Sequence, residues 1–202
     1  MEPTAGLSRL KRICVFCGSR RGRRPEYVAA ARAVGATLGR RGIGLVYGGG
    51  GVGVMGELAD AALAHDGEVI GVIPHSLLEW EVGHTRIADL RVVDTMHERK
   101  ALMASLSDAF IALPGGYGTL EELFEVLTWA QLGLHPKPCG LLNVGGYFDP
   151  LLRLVEHMVE EGFLRDEHRS LLLDDTDVEA LLARLSAYEP PVIVRRLKLD
   201  EI

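Results

Sequence analysis

Short β-branched runs alternate along this chain with longer stretches whose apolar positions recur at helical spacing. Arg12 to Cys17, Ile43 to Tyr47, Glu68 to Ile73, Arg91 to Val93, Ala109 to Leu113 and Cys139 to Asn143 read as strands, with a weaker candidate at Leu171 to Asp174. Between them, helices are predicted over Glu26 to Arg40, Val54 to His65, Met96 to Ser105, Leu120 to Leu134, Asp149 to Glu161 and Val178 to Ala187. The strands are apolar throughout, the pattern of a parallel sheet covered on both sides. The expected fold is therefore α/β: a doubly wound sheet of about six to seven mainly parallel strands with helices on both faces. Ligands of such sheets bind at the carboxyl ends of the strands. Pro190-Pro191 ends the last helix, and the tail over 189–202 reads equally as an added strand or as a subunit contact.

Composition narrows this picture. The 202 residues, 48% of them hydrophobic, suit one domain spanning 1–202. A formal net charge of −6 opposes general nucleic-acid binding, which needs cations to neutralise phosphates. No run approaches the ~18 apolar residues of a membrane helix. Residues Met1 to Arg12 lack the apolar stretch of a secretory leader, so a cytoplasmic location and no membrane partner are expected. Three cysteines are too few for a disulfide framework. Cys14 and Cys17 lie within a predicted strand, where positions i and i+3 face opposite ways, so their C-x-x-C spacing reads as packing. With neither a second such pair nor a His-Glu-x-x-His, a metal site is not expected.

The unusual chemistry lies in the loops after four strands. The first is Gly18-Ser19-Arg20-Arg21-Gly22-Arg23-Arg24-Pro25, a solvated basic loop or an anion contact through Ser19 and one arginine. The second runs Gly48-Gly49-Gly50-Gly51-Val52-Gly53-Val54-Met55-Gly56 and contains G-x-G-x-x-G. A dinucleotide site also asks for a carboxylate at the end of the next strand, but that strand ends Val72-Ile73-Pro74-His75. The safer expectation is close approach of backbone to a ligand. In the third, Thr95 and Glu98 have capping-box spacing, which puts Arg99 and Lys100 near a helix start against the macrodipole. An anionic ligand would offset that cost.

The fourth loop, Pro114-Gly115-Gly116-Tyr117-Gly118-Thr119, leads into a helix and has the makings of a phosphate cradle. It lacks the Gly-Lys-Ser/Thr of a Walker loop. Glu122 follows Thr119 at capping-box spacing, its plain structural role. Carboxylates beside a phosphate repel it unless a cationic centre lies between, and chemistry at a sugar carbon supplies one.

Pro114-Gly115-Gly116-Tyr117-Gly118-Thr119-x-x-Glu122 resembles the PGGxGTxxE signature of the Lonely Guy family of cytokinin riboside 5′-monophosphate phosphoribohydrolases, often mislabelled lysine decarboxylases. The resemblance extends to Cys17-Gly18-Ser19, Val46-Tyr47-Gly48-Gly49-Gly50, Asp94-x-Met96-His97-x-Arg99-Lys100, Trp129-Ala130-Gln131-Leu132-Gly133 and Asn143-x-x-Gly146-Tyr147-Phe148-Asp149. It implies a Rossmann-like fold, a homodimer, no cofactor, and hydrolysis of an adenine nucleoside monophosphate to free base and ribose 5-phosphate. It also implies that Arg99 and Glu122 are catalytic. Substrate contacts would come from Ser19, Gly49, Gly50, Glu81, Arg99, Lys100, Gly115, Gly116, Tyr117, Gly118, Thr119, Leu120, Glu121, Glu122 and Thr128. Arg20 and Gly51 stand where many members have serine, the first a change near the phosphate.

Chemically, Glu122 would stabilise positive charge at the anomeric carbon or activate water, Glu121 would grip ribose hydroxyls, and Arg99 would hold phosphate or ribose. A pyridoxal decarboxylase would have to use Lys100 as its Schiff-base lysine, beside Arg99. The alternative from another class is a non-catalytic carrier of nucleotide or molybdenum cofactor. Trp80, Met96 and Trp129 are candidates to line a pocket for a substituent on the base, or else core. In the helix from Leu120, a stripe of Leu120, Leu123, Phe124, Leu127, Ala130 and Leu134 leaves Val126 and Trp129 as a second apolar face for a partner subunit.

Overall fold

The computed structural model describes residues 10–78 and 83–191. Its strands are β1 (Arg12–Phe16), β2 (Gly44–Tyr47), β3 (Val69–Pro74), β4 (Asp89–Val93), β5 (Ala109–Ala112), β6 (Cys139–Leu142) and β7 (Leu172–Asp175). The helices are α1 (Pro25–Arg40), α2 (Gly53–Leu63), α3 (His75–Leu78), α4 (Met96–Ser105), α5 (Tyr117–Gln131), α6 (Asp149–Glu160), α7 (Asp166–Arg169) and α8 (Val178–Ser186). Every strand pair is parallel, in the order β4-β3-β2-β1-β5-β6-β7. The chain builds outward from β1 to β4, then crosses to β5 on the other side of β1. The strand order therefore reverses between β1 and β5, where loops diverge and leave a crevice.

Period-two alternation divides the core into two layers. Ile13, Val15, Leu45, Tyr47, Ala109 and Ile111 pack beneath α1, α2 and α8, through residues such as Leu38, Leu58 and Leu182. Cys14, Phe16, Val46, Ile70, Phe110 and Leu141 face α4, α5 and α6, through Met103, Leu123 and Val155. All three cysteines are buried, with Cys14 and Cys17 in opposite layers as the strand periodicity requires. The thiols of Cys14 and Cys139 are pushed up by burial. Among the described residues, no helix is long and apolar enough to cross a membrane.

Two expectations about α5 need correction. The helix starts at Tyr117 rather than Leu120, because Gly116 takes the extended cap position with φ −96° and ψ −153°. Thr119 thus lies in the first turn, the cap makes no side-chain hydrogen bond, and the Thr119–Glu122 capping box is not formed. The buried stripe is Thr119, Glu122, Leu123, Val126 and Ala130, so Val126 is core, while Leu120, Phe124 and Leu127 are half-buried. The capping box at Thr95 does form: its hydroxyl accepts from Glu98 N at 3.1 Å, and the Glu98 carboxylate accepts from Thr95 N. Trp80, Glu81 and the tail from 192 onward lie outside the described residues.

Candidate active site

Each strand on the carboxyl edge hands its chain to a loop, and the loops after β1, β2, β4, β5 and β6 surround a cavity of about 540 Å³. On one wall is the turn into α5. A Cβ on Gly115 would lie 2.0 Å from the Thr119 hydroxyl and 3.0 Å from Gly18 N, so this glycine is required for packing. On Gly116 or Gly118 it would meet nothing within 4 Å. Those positions present bare backbone to the cavity at the start of a 15-residue helix, whose first-turn amides and dipole favour an anion.

The same cavity holds a buried ion pair between α4 and α5. Arg99, in the second turn of α4 and 5% exposed, donates from Nη2 to the Gly48 carbonyl at 3.2 Å and stands 3.8 Å from Glu122 Oε1. Glu122, on α5, is 8% exposed. Two charges are kept out of bulk water here, which is costly unless each holds the other or a ligand. Burial, and after it the Glu122 charge, raises the pKa of the Cys14 thiol on β1. A carboxylate and a guanidinium thus share the space between β1 and β5 with the glycine cradle.

Of the residues named from the sequence, Ser19, Arg99, Gly115, Gly116, Tyr117, Gly118, Thr119, Glu121 and Glu122 line this one cavity. Met96 also lines it, 39% exposed. Lys100 turns elsewhere: its ammonium donates to Glu121 and to Glu125, the latter at 2.9 Å. Burial lowers the Lys100 pKa, but the hydrogen bonds to the two carboxylates outweigh it and leave the group raised. Gly50 bridges to Gly83 across the loop after β3, and Gly49, at φ +77°, packs against Ile73 and Leu90. Leu120 and Trp129 pack on the core layer that faces α4, α5 and α6. The Thr128 hydroxyl bonds its own helix at Phe124 O, 2.7 Å away.

The second glycine loop, which reaches the cavity at Gly48, Val54 and Met55, is also held by backbone packing. A Cβ on Gly53 would sit 2.1 Å from Ser19 O, and one on Gly56 2.3 Å from Gly51 O. These glycines bring backbone against backbone and set the height of the Ser19 loop. In that loop Arg21 pairs with Glu57 at 2.7 Å and Arg24 with Glu26, while Arg20 lines the cavity exposed to solvent. Sequence reasoning gave no role to Gly48, whose carbonyl holds Arg99, or to Tyr147, whose hydroxyl donates to Gly115 O. Their signal was membership of the motifs at 46–50 and 143–149, which assign neither residue a role.

A family model described as "Possible lysine decarboxylase" matches residues 36–185. The cytokinin riboside 5′-monophosphate phosphoribohydrolase LOG of Oryza sativa subsp. japonica is 52% identical over 185 residues, covering 91% of this chain and 76% of its own length. LOG7 of Arabidopsis thaliana, of the same description, is 50% identical over 205 residues, covering 100% of this chain and 93% of its own. The chain belongs to the Lonely Guy family. The fold is shared more widely than this family. A molybdenum cofactor carrier protein from Chlamydomonas reinhardtii superposes with a TM-score of 0.64 at 21% identity, covering 85% of this chain and 93% of that one. The molybdenum cofactor binding protein from Rippkaea orientalis gives 0.63 at 24%, covering 83% and 90%. At those identities the likeness is one of fold, and Lonely Guy membership rests on the sequence.

Proposed function

We propose that this Lonely Guy protein is a hydrolase that cleaves the N-glycosidic bond of cytokinin riboside 5′-monophosphates or AMP, giving free base and ribose 5-phosphate. The observation that carries the reading is the buried Arg99–Glu122 pair, 3.8 Å apart, facing the same cavity as the N-terminus of α5. The α5 amides receive the 5′-phosphate, which is remote from the bond that breaks, so its binding energy orients the sugar. As the C1′–N bond breaks, its electron pair leaves with the base and positive charge grows on the anomeric carbon. Glu122 stabilises that charge and takes a proton from the attacking water, whose hydroxyl oxygen bonds C1′; the departing base takes up a proton from solvent and Glu122 releases its own to solvent, so the net change is the addition of one water. Arg99, fixed to the Gly48 carbonyl, keeps the ribose and Glu122 in register.

Decarboxylation is a poorer fit, because the Lys100 ammonium is committed to Glu121 and Glu125. The carrier alternative draws on fold likeness at 21 to 24% identity, whereas the relatives at about 50% identity are named as hydrolases. Incubation with isopentenyladenosine monophosphate, AMP and the two unphosphorylated nucleosides, followed by chromatography, tests the reading. Base is expected from the monophosphates and at most a trace from the nucleosides. Equal cleavage of adenosine and AMP would remove the phosphate's role, and a bound nucleotide with no base released would favour a carrier.

Buried cysteines suit action in the reducing cytoplasm. The half-buried Leu120, Phe124 and Leu127 on α5 support a homodimer. Light scattering is expected to give twice the chain mass of 22.0 kDa, and a 22.0 kDa particle would refute the dimer.

A further inference from the structure

The loop between β6 and α6 reaches the cavity from the far side of β5, and its contacts are those of a brace. Asn143 closes it: its Nδ2 donates to Asp149 Oδ1 at 2.7 Å and its Oδ1 accepts from Phe148 N at 2.8 Å. Arg24, from the loop after β1, donates to the Gly145 carbonyl at 3.1 Å. Within this frame the Tyr147 ring is held edge-on by Phe148, with centroids 5.0 Å apart, and by Tyr27, at 5.6 Å. A ring fixed by two aromatic neighbours delivers its hydroxyl to one place. That place is the carbonyl oxygen of Gly115.

We propose that Tyr147 is a positioning residue that orients the Gly115–Gly116 peptide so that its N–H faces the phosphate of the substrate. The inference rests on the phosphoribohydrolase reading above. A trans peptide is planar, and its C=O and N–H point in opposite directions. No cis bond occurs among the described residues. Holding the Gly115 carbonyl toward Tyr147 therefore turns the Gly116 N–H away from the β6 side and toward the crevice between β1 and β5. A glycine pair resists such rotation poorly by itself, since neither residue has a Cβ to limit φ and ψ. Crowding against Thr119 and Gly18 holds the Gly115 end of this peptide, but a Cβ at Gly116 would meet nothing within 4 Å, so the other end is open. The tyrosine hydroxyl adds a restraint on the peptide plane itself.

Tyr147→Phe removes the one oxygen and keeps the ring against Tyr27 and Phe148, so the melting temperature is expected to stay within a degree or two of the parent. KM for the monophosphate is expected to rise about three- to tenfold, the worth of one well-placed hydrogen bond, with kcat changing less. Ribose 5-phosphate affinity, followed by calorimetry independently of turnover, is expected to fall by the same factor. Unaltered KM and ribose 5-phosphate affinity in the variant, with an active parent, would overturn the role of Tyr147 and leave the hydrolase intact. A parent that binds neither ribose 5-phosphate nor nucleotide would overturn both.

Discussion

Replacing Glu122 with glutamine is expected to reduce base release from AMP by about a hundred- to ten-thousandfold while leaving nucleotide binding within severalfold of the parent. The amide has the size of the carboxylate and keeps hydrogen-bonding capacity in a position that is 8% exposed, so the apolar packing around α5 is preserved, although Arg99 loses its ionic partner and some stability with it. What disappears is the negative charge. In a site shielded from water that charge stabilises a cationic sugar carbon far more than it would in solvent, and an amide does not take the proton of an attacking water. Glu121 is not a substitute. It is half-exposed at the cavity mouth and held by Lys100, so its charge is already engaged and screened. Initial rates of adenine release, beside calorimetric titration with AMP, separate chemistry from binding. A Glu122→Gln protein that turns over at the parent's rate would remove Glu122 from the reaction.

The parts of the fold visible in the sequence were those set by periodicity. Apolar runs such as Ile13 to Phe16 and Val69 to Ile73 are legible because both faces of these strands are buried and no residue is free to be polar. Thr95 and Glu98 announced the start of α4 because both halves of a capping box come from one short segment. The start of α5 was misplaced for the converse reason. Thr119 and Glu122 carry the same spacing, but Glu122 is drawn toward Arg99, a residue on another helix, and no local pattern contains that partner. Lys100 followed the same course. Adjacent to Arg99 in sequence, it meets Glu121 and Glu125 rather than Glu122.

Glycines were the most ambiguous letters. Gly53 and Gly56 matched a nucleotide fingerprint, yet each is required because another stretch of backbone occupies the space of its Cβ. Gly115 is packed in the same way, against Thr119 and Gly18, while Gly116 and Gly118 beside it are open. The letter is identical in all five cases and only three-dimensional proximity separates them. Steric need at one glycine and ligand access at its neighbour together build the cradle: the first fixes the loop's path, the second leaves the amides uncovered.

Gly48 joins these two uses of glycine, and it yields the second large effect. A Cβ there would fall 2.1 Å from Nη2 of Arg99 and 3.2 Å from the Met55 sulfur. The nearest obstacle is thus the tip of a flexible side chain, not backbone, so Gly48→Ala is expected to fold with little loss of stability as Arg99 swings aside. The swing carries the guanidinium from the Gly48 carbonyl and from its 3.8 Å approach to Glu122. A displacement of about an ångström at a group that aligns the reacting atoms costs on the order of a hundredfold in rate. The expected signature is a fall of that size in kcat/KM for AMP with a urea midpoint close to the parent's. Loss of both activity and stability would mean that β2 itself had been distorted. Full activity in Gly48→Ala would show that the placement of Arg99 against Glu122 is not what the reaction depends on, since the methyl group and the observed guanidinium position are incompatible.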